Sequence, residues 1–147
     1  MGSKRQTRSK ASALPHNISL VFDGGSRGNP GPAYGSFLLR GAPLAASKPD
    51  RLSLGYGTNN EAEYQSLIFG LQALQERLMS QGIDPKQVSL TIHGDSQLVL
   101  SQLSGEWKAK DSRMRGLRDQ ALALLATLGE VRFVREDRWR IVEVLGH

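Results

Sequence analysis

Apolar positions along the chain change their period several times, and each change marks an element. Ile18-Ser19-Leu20-Val21-Phe22 is a short apolar, β-rich run stopped by Asp23-Gly24-Gly25, the pattern of a buried strand that ends in a turn. Glycine and proline punctuate residues 25–32 as a loop. Residues 33–40 and 51–56 then read as two further strands, joined by a turn containing proline and serine, so the chain opens as an antiparallel meander. After Gly57 the spacing lengthens: Ala62, Tyr64, Leu67, Ile68, Leu71, Leu74 and Leu78 recur at helical intervals, with the capping side chains Thr58-Asn59-Asn60 just ahead. Gly82 and Pro85 close this helix. Residues 88–93 alternate as a fourth strand ending at Gly94-Asp95, and a short helix over 96–103 comes next. Met114, Leu117, Ala121, Leu124, Leu125 and Leu128 mark another amphipathic helix, begun near Asp111 or Ser112 and ended by Gly129. Residues 131–135 are a fifth strand, and 138–145 a brief helix stopped by Gly146. This order predicts an α/β fold: a five-stranded mixed sheet flanked by helices.

Composition narrows the chemistry. At 147 residues, 39% hydrophobic and 22% charged, the chain is sized for one domain, taken as residues 18–147 behind an arm of residues 1–17. It has no apolar run long enough to span a membrane, and the arm lacks the apolar core of a secretory signal, so a cytoplasmic protein is expected. The absence of cysteine excludes disulfides, thiolate metal sites and cysteine nucleophiles. His16, His93 and His147 are too scattered for an imidazole cluster, so a metal site must rest mainly on carboxylates, which suit Mg2+ or Mn2+. Of the net charge of +5, Lys4, Arg5, Arg8 and Lys10 supply four charges to an acid-free arm, which reads as a flexible tail attracted to polyanions. The other reading of this arm, which opens with Met1-Gly2-Ser3, is a cloning leader or a tail that only keeps the protein soluble.

Three acids stand out. Asp23 and Asp95 each close a strand, and two parallel neighbours joined by a crossover helix bring such ends to one crevice. Glu63 shares a helix face with Leu67 and Leu71, so it points toward the core. Buried together, three carboxylates repel unless a cation neutralises them, which favours a divalent metal over an acid/base pair. Taken singly, each has a plain structural role: Asp23 in a turn, Asp95 as a helix cap, Glu63 as a first-turn acid at the positive end of a helix. The glycine-rich loop lacks the Gly-Lys-Ser/Thr ending of a P-loop and no helical pattern begins after it, so neither a nucleotide-phosphate nor a dinucleotide site is indicated.

Phe22-Asp23-Gly24-Gly25-Ser26-Arg27-Gly28-Asn29-Pro30-Gly31-Pro32, Thr58-Asn59-Asn60-Glu61-Ala62-Glu63-Tyr64 and Gly94-Asp95-Ser96-Gln97-Leu98-Val99 resemble the three signature blocks of type 1 ribonuclease H. The resemblance covers about residues 18–135. It implies an endonuclease that cleaves the RNA strand of RNA/DNA hybrids with two Mg2+ or Mn2+ ions, leaving 5′-phosphate and 3′-hydroxyl ends. By the same resemblance Asp23 bridges both ions, Glu63 and Asp95 hold the one nearer the leaving oxygen, and Glu63 is preferred to Glu61. Asn29, Asn59, Asn60 and Gln97 match positions that read the RNA minor groove, where 2′-hydroxyls distinguish RNA. Thr58 matches a DNA-phosphate contact. Loop and capping chemistry accounts equally for the asparagines.

Two departures from the family pattern matter. The basic protrusion found in many relatives is missing, leaving Trp107, Lys108, Lys110, Arg113 and Arg115 for a smaller DNA-strand contact, with Trp107 as ordinary core the competing reading. The fourth metal-binding aspartate is also missing. Ungapped alignment from the last strand brings Glu143 to its place, and alignment on Arg135-Glu136 brings Val142; His147, after a glycine suited to turning the chain, is favoured as the replacement and would shift preference toward Mn2+. Asp137 is read as a helix cap. The expected partner is an RNA/DNA hybrid, the expected state a monomer without protein partners or a membrane. A noncatalytic hybrid-binding module is the alternative, as is another nuclease of the same fold, though the latter needs no groove-reading asparagines.

Overall fold

The computed structural model describes residues 13–45 and 47–146. Strands β1 (His16–Ser26), β2 (Gly31–Arg40) and β3 (Asp50–Gly57) form the antiparallel meander, and helix α1 (Asn59–Ser80) comes after them. A 3-10 turn (Pro85–Gln87) leads into β4 (Val88–Gly94); α2 (Gln97–Ser104), α3 (Ser112–Leu125), β5 (Glu130–Arg135) and α4 (Arg138–Leu145) complete the described chain. The sheet order is β3-β2-β1-β4-β5, with β1-β4 and β4-β5 parallel. This is the mixed five-stranded sheet that the hydrophobic pattern predicts. No helix among the described residues is long and apolar enough to cross a membrane.

Strand alternation divides the protein into a thick and a thin layer. Ile18, Leu20 and Phe22 of β1 join Leu90 and Ile92 of β4 and the Tyr64, Leu67, Leu71, Leu74 and Leu78 stripe of α1 in the main core. Leu100, Leu103, Ala121 and Leu125 bring α2 and α3 to the same core. On the opposite face Val21 and Leu38 pack with Ile141 and Leu145 of α4, with Val144 beside them. At roughly 1.5–3 kcal/mol per buried aliphatic side chain, that contact holds an eight-residue helix too short to be stable alone. Its far end is tied by Arg51, whose Nη2 donates to the Gly146 carbonyl at 3.2 Å.

Boundaries differ from the sequence reading where tertiary pairing overrides local signals. β1 begins at His16, which pairs with Val88, and does not stop at Asp23: Gly24, Gly25 and Ser26 continue the ladder opposite Gly35, Tyr34 and Ala33. Asp23 therefore lies within a strand, at the level where parallel pairing with β4 has ended and antiparallel pairing with β2 persists. Helix α3 ends at Leu125, and Leu128 reaches the core from the turn beyond it. Asp137 occupies the N-cap of α4, yet its side chain makes no capping hydrogen bond.

Gly24 sets how closely α1 approaches the sheet. A Cβ there would collide with the Ala62 carbonyl and lie 2.7 Å from the Glu63 nitrogen, and backbone cannot yield as a flexible side chain can. Gly24→Ala is expected to cost about 2–3 kcal/mol or prevent folding. Gly116→Ala, in α3 with nothing within 4 Å of the new methyl, should instead stabilise by roughly 0.5–1 kcal/mol. Thermal or urea unfolding of the pair checks both signs; a tolerated Gly24→Ala would refute the close approach.

Candidate active site

The acids converge because three elements end or cross at one level of the sheet. Val21 of β1 pairs with His93 of β4, so two residues beyond that pair Asp23 lies within β1 and Asp95 just past the end of β4. β4 stops at Gly94, where any Cβ would meet the Phe22 ring, and Ser96 then caps α2 by accepting from the Val99 N–H at 3.2 Å. The cap is thus Ser96, and Asp95 is left to face the crevice. Above them α1 crosses Gly24 and delivers Glu63. One ligand-capable oxygen from each of Asp23, Glu63 and Asp95 lies within 4.8 Å of the others. Asp23 and Glu63 are buried, and Asp95 is partly so.

The electrostatics are those of a site built for positive charge. Burial, then the charges of Asp23 and Asp95, push the Glu63 carboxyl well above the usual carboxylate range; Arg138 and the Gly24 N–H pull weakly the other way. Among the described residues Glu63 Oε1 finds no hydrogen-bond partner, although it is buried. A buried acceptor left orphaned between two further acids, at this spacing, is what a hard cation with oxygen ligands satisfies. The donor set therefore fits a divalent ion.

Glu61, the rival acid, is committed elsewhere. Its Oε1 accepts from the Thr58 N–H at 2.8 Å while the Thr58 hydroxyl accepts from the Glu61 N–H, a capping box at the start of α1. Its Oε2 accepts from Arg113 Nη1 at 2.8 Å, and the Thr58 backbone bond is the main cause of its lowered pKa. Next to Glu63, the Tyr64 hydroxyl donates to Gln102 Oε1 at 2.6 Å, tying α1 to α2; burial raises its pKa to about 12.

The expected substrate-binding residues ring this cluster in different ways. Asn29 Oδ1 accepts from the Asn59 N–H at 2.9 Å, and Asn59 Oδ1 from the Ser26 N–H at 2.8 Å, lacing the β1–β2 loop to the start of α1. Asn60 is exposed beside them, and Gln97 is exposed at the first turn of α2. Trp107 is 44% exposed between α2 and α3, which rules out the core reading, and Lys108 is exposed next to it. Glu143 stands apart from the acid cluster, lining a pocket with Val21, Arg40, His93 and Glu136. His147 and the arm through Ser12 lie outside the described residues.

Sequence reasoning misses Arg138. Its Nη1 donates to Asp23 Oδ1 at 2.6 Å and to Asp95 Oδ2 at 3.0 Å, so a guanidinium lies between two of the three acids. A signal for it exists: Arg138, Ile141 and Leu145 share the 3-and-4 spacing that faces the sheet.

Known proteins share this arrangement of chain and fold. A family model described as reverse transcriptase-like matches residues 51–140. Ribonuclease HI of Halobacterium salinarum is 37% identical over 127 residues, which is 86% of this chain and 56% of that protein. The chain thus spans little more than half of that relative. The crystal structure of RNase H1 from the same archaeon superposes with a TM-score of 0.73 at 33% identity, covering 87% of this chain and 91% of that one. A crystal structure of LC11-RNase H1 in complex with RNA/DNA hybrid gives a TM-score of 0.74 at 26% identity, covering 86% and 90%.

The raised Glu63 pKa has a testable sign. Without divalent ions the folded protein holds a proton that the unfolded chain releases above the ordinary value of 4.5. Glu63's contribution is therefore fully present below that value and lost as pH rises through the raised folded one. In chelator, Glu63→Gln is expected to melt above the parent at neutral pH, with the gap closing below pH 4.5. A parent as stable as the variant at neutral pH would contradict the assigned burial and charge.

Proposed function

This chain belongs to the type 1 ribonuclease H family, and from that membership we propose that it hydrolyses the RNA strand of RNA/DNA hybrids, leaving 5′-phosphate and 3′-hydroxyl ends. The observation that carries the reading is the meeting of Asp23, Glu63 and Asp95 from a strand interior, a helix and a strand end, with one buried carboxylate oxygen unsatisfied. Asp23, the most deeply buried of the three, would hold the ions together with Glu63 and Asp95. Mg2+ or Mn2+ ions held there would supply water activation and positive charge to offset the charge that develops on the 3′ oxygen.

The protein's own residues then orient the duplex. Asn29, Asn59, Asn60 and Gln97 are the proposed readers of 2′-hydroxyls, and the lacing of Asn29 and Asn59 between the β1–β2 loop and the start of α1 supports this by fixing that part of the surface before the hybrid arrives. Thr58, Trp107 and Lys108 are assigned to the DNA strand, the exposed indole offering a stacking face beside a phosphate-pairing ammonium. The basic residues of the arm add sequence-independent attraction to phosphates. His147 is proposed as the fourth ligand, and Glu143 is set aside because it belongs to a separate pocket.

One observation favours a second reading, a noncatalytic hybrid-binding module: among the described residues the cluster holds three acids, not four. Product analysis on an end-labelled hybrid separates the two. Parent protein is expected to cut only the RNA strand, Asp23→Asn and Asp95→Asn to lose at least about a thousandfold in rate while remaining folded, and Glu143→Gln to cut normally. Binding without cleavage by the parent would establish the second reading; undiminished cleavage by either aspartate variant would overturn the site assignment.

A further inference from the structure

Arg138 is placed where ordinary helix energetics would not put it. It is the first residue of α4, at the positive end of the helix dipole, where a cation is disfavoured. The Asp137 cap makes no side-chain hydrogen bond that could compensate. What offsets the position is the acid pair: one nitrogen, Nη1, is shared between Asp23 Oδ1 at 2.6 Å and Asp95 Oδ2 at 3.0 Å. Those bonds hold the guanidinium firmly protonated against the effect of its partial burial.

The fit is incomplete in an informative way. Arg138 satisfies oxygens of two acids and leaves Glu63 Oε1 with no partner among the described residues. A guanidinium donates along fixed N–H directions, whereas a metal ion accepts lone pairs from every side and can gather all three acids at once. The two cations also exclude each other, since both need the Asp23 and Asp95 oxygens and repel at that range. Release is easy for the arginine: its side chain is 56% exposed, and α4 stays anchored through Ile141, Leu145 and the Arg51 bond to Gly146.

We propose that Arg138 is a resident counter-cation of the acid cluster, neutralising Asp23 and Asp95 until a divalent ion displaces its guanidinium. This rests on the reading of the cluster as a divalent-cation site. Arg138 is in this respect a positioning residue: it keeps two neighbouring acids aligned in the empty state and sets the ion concentration needed for loading. The cost of expelling it lowers affinity for the ion, which a neutral side chain would not do.

The test is Mn2+ titration by calorimetry and by paramagnetic resonance, in the absence of nucleic acid, on the whole chain and two variants. Arg138→Gln is expected to bind Mn2+ about tenfold more tightly than the parent, and Arg138→Lys, which keeps the charge, within roughly threefold of it. Circular dichroism verifies that both are folded. In the parent itself, the Arg138 guanidinium resonances should be protected from solvent exchange in chelator and lose that protection as Mg2+ is added. Equal or weaker Mn2+ binding by Arg138→Gln, or resonances unmoved by Mg2+, would overturn the proposal while leaving the metal site standing. Failure of the parent and both variants to bind Mn2+ would instead overturn the reading on which it rests.

Discussion

Holding three carboxylates together against their own repulsion, two of them out of water, is the constraint on which the rest of this structure depends. Charges a few ångströms apart in a weakly polar interior repel by several kcal/mol, so the arrangement persists only if backbone packing imposes it and positive charge relieves it. Packing imposes it through Gly24, which lets α1 ride directly over β1, and through Gly94, which lets β4 end against Phe22. Relief is partial. Arg138 answers Asp23 and Asp95, while burial and the charges of those two acids leave the Glu63 pKa raised well above the ordinary carboxylate range.

The lopsided layering serves the same constraint. The thick core of α1, α2 and α3 makes the acid-bearing elements rigid: Asp23 and Glu63 each follow a fully buried neighbour, Phe22 and Ala62, and Asp95 follows buried Gly94 at the end of β4. The thin layer under α4 carries few buried side chains and faces the same acids with a cation. Rigidity where the ligands must not move, and a lightly held helix where charge must be exchanged, are two parts of one design. The capping box at Thr58 and Glu61 belongs to the rigid part, fixing the start of α1 and the asparagines around it.

Most of this is legible in the sequence because the relevant signals are local. The period changes at Gly57 and Gly94, the helical stripe from Ala62 to Leu78 and the strand alternation all reflect burial that a linear pattern encodes. Asp23, Glu63 and Asp95 stand out together because each sits at a fixed offset from such a signal. What the linear pattern misplaces depends on contacts between distant segments. Asp23-Gly24-Gly25 looks like a turn, yet β2 supplies pairing partners that extend β1 to Ser26. Leu128 continues a helical stripe, yet α3 has already ended. Arg138 escapes notice because a charged residue in a first turn reads as solvated surface, and only the neighbouring acids make it part of the site. Arg138 and Glu143 share one short helix, and which of them meets the acids is a matter of helix rotation, set by Ile141 and Leu145 against Val21 and Leu38.

Whether the three acids gather a cation is decided by an anomalous-scattering map from crystals grown with Mn2+, compared with crystals grown in chelator. A Mn2+ peak is expected among oxygens of Asp23, Glu63 and Asp95, with Glu63 Oε1 turned to the ion and the Arg138 guanidinium withdrawn from Asp23. Mn2+ bound elsewhere, or no peak and an unmoved Arg138 at saturating ion, would contradict it.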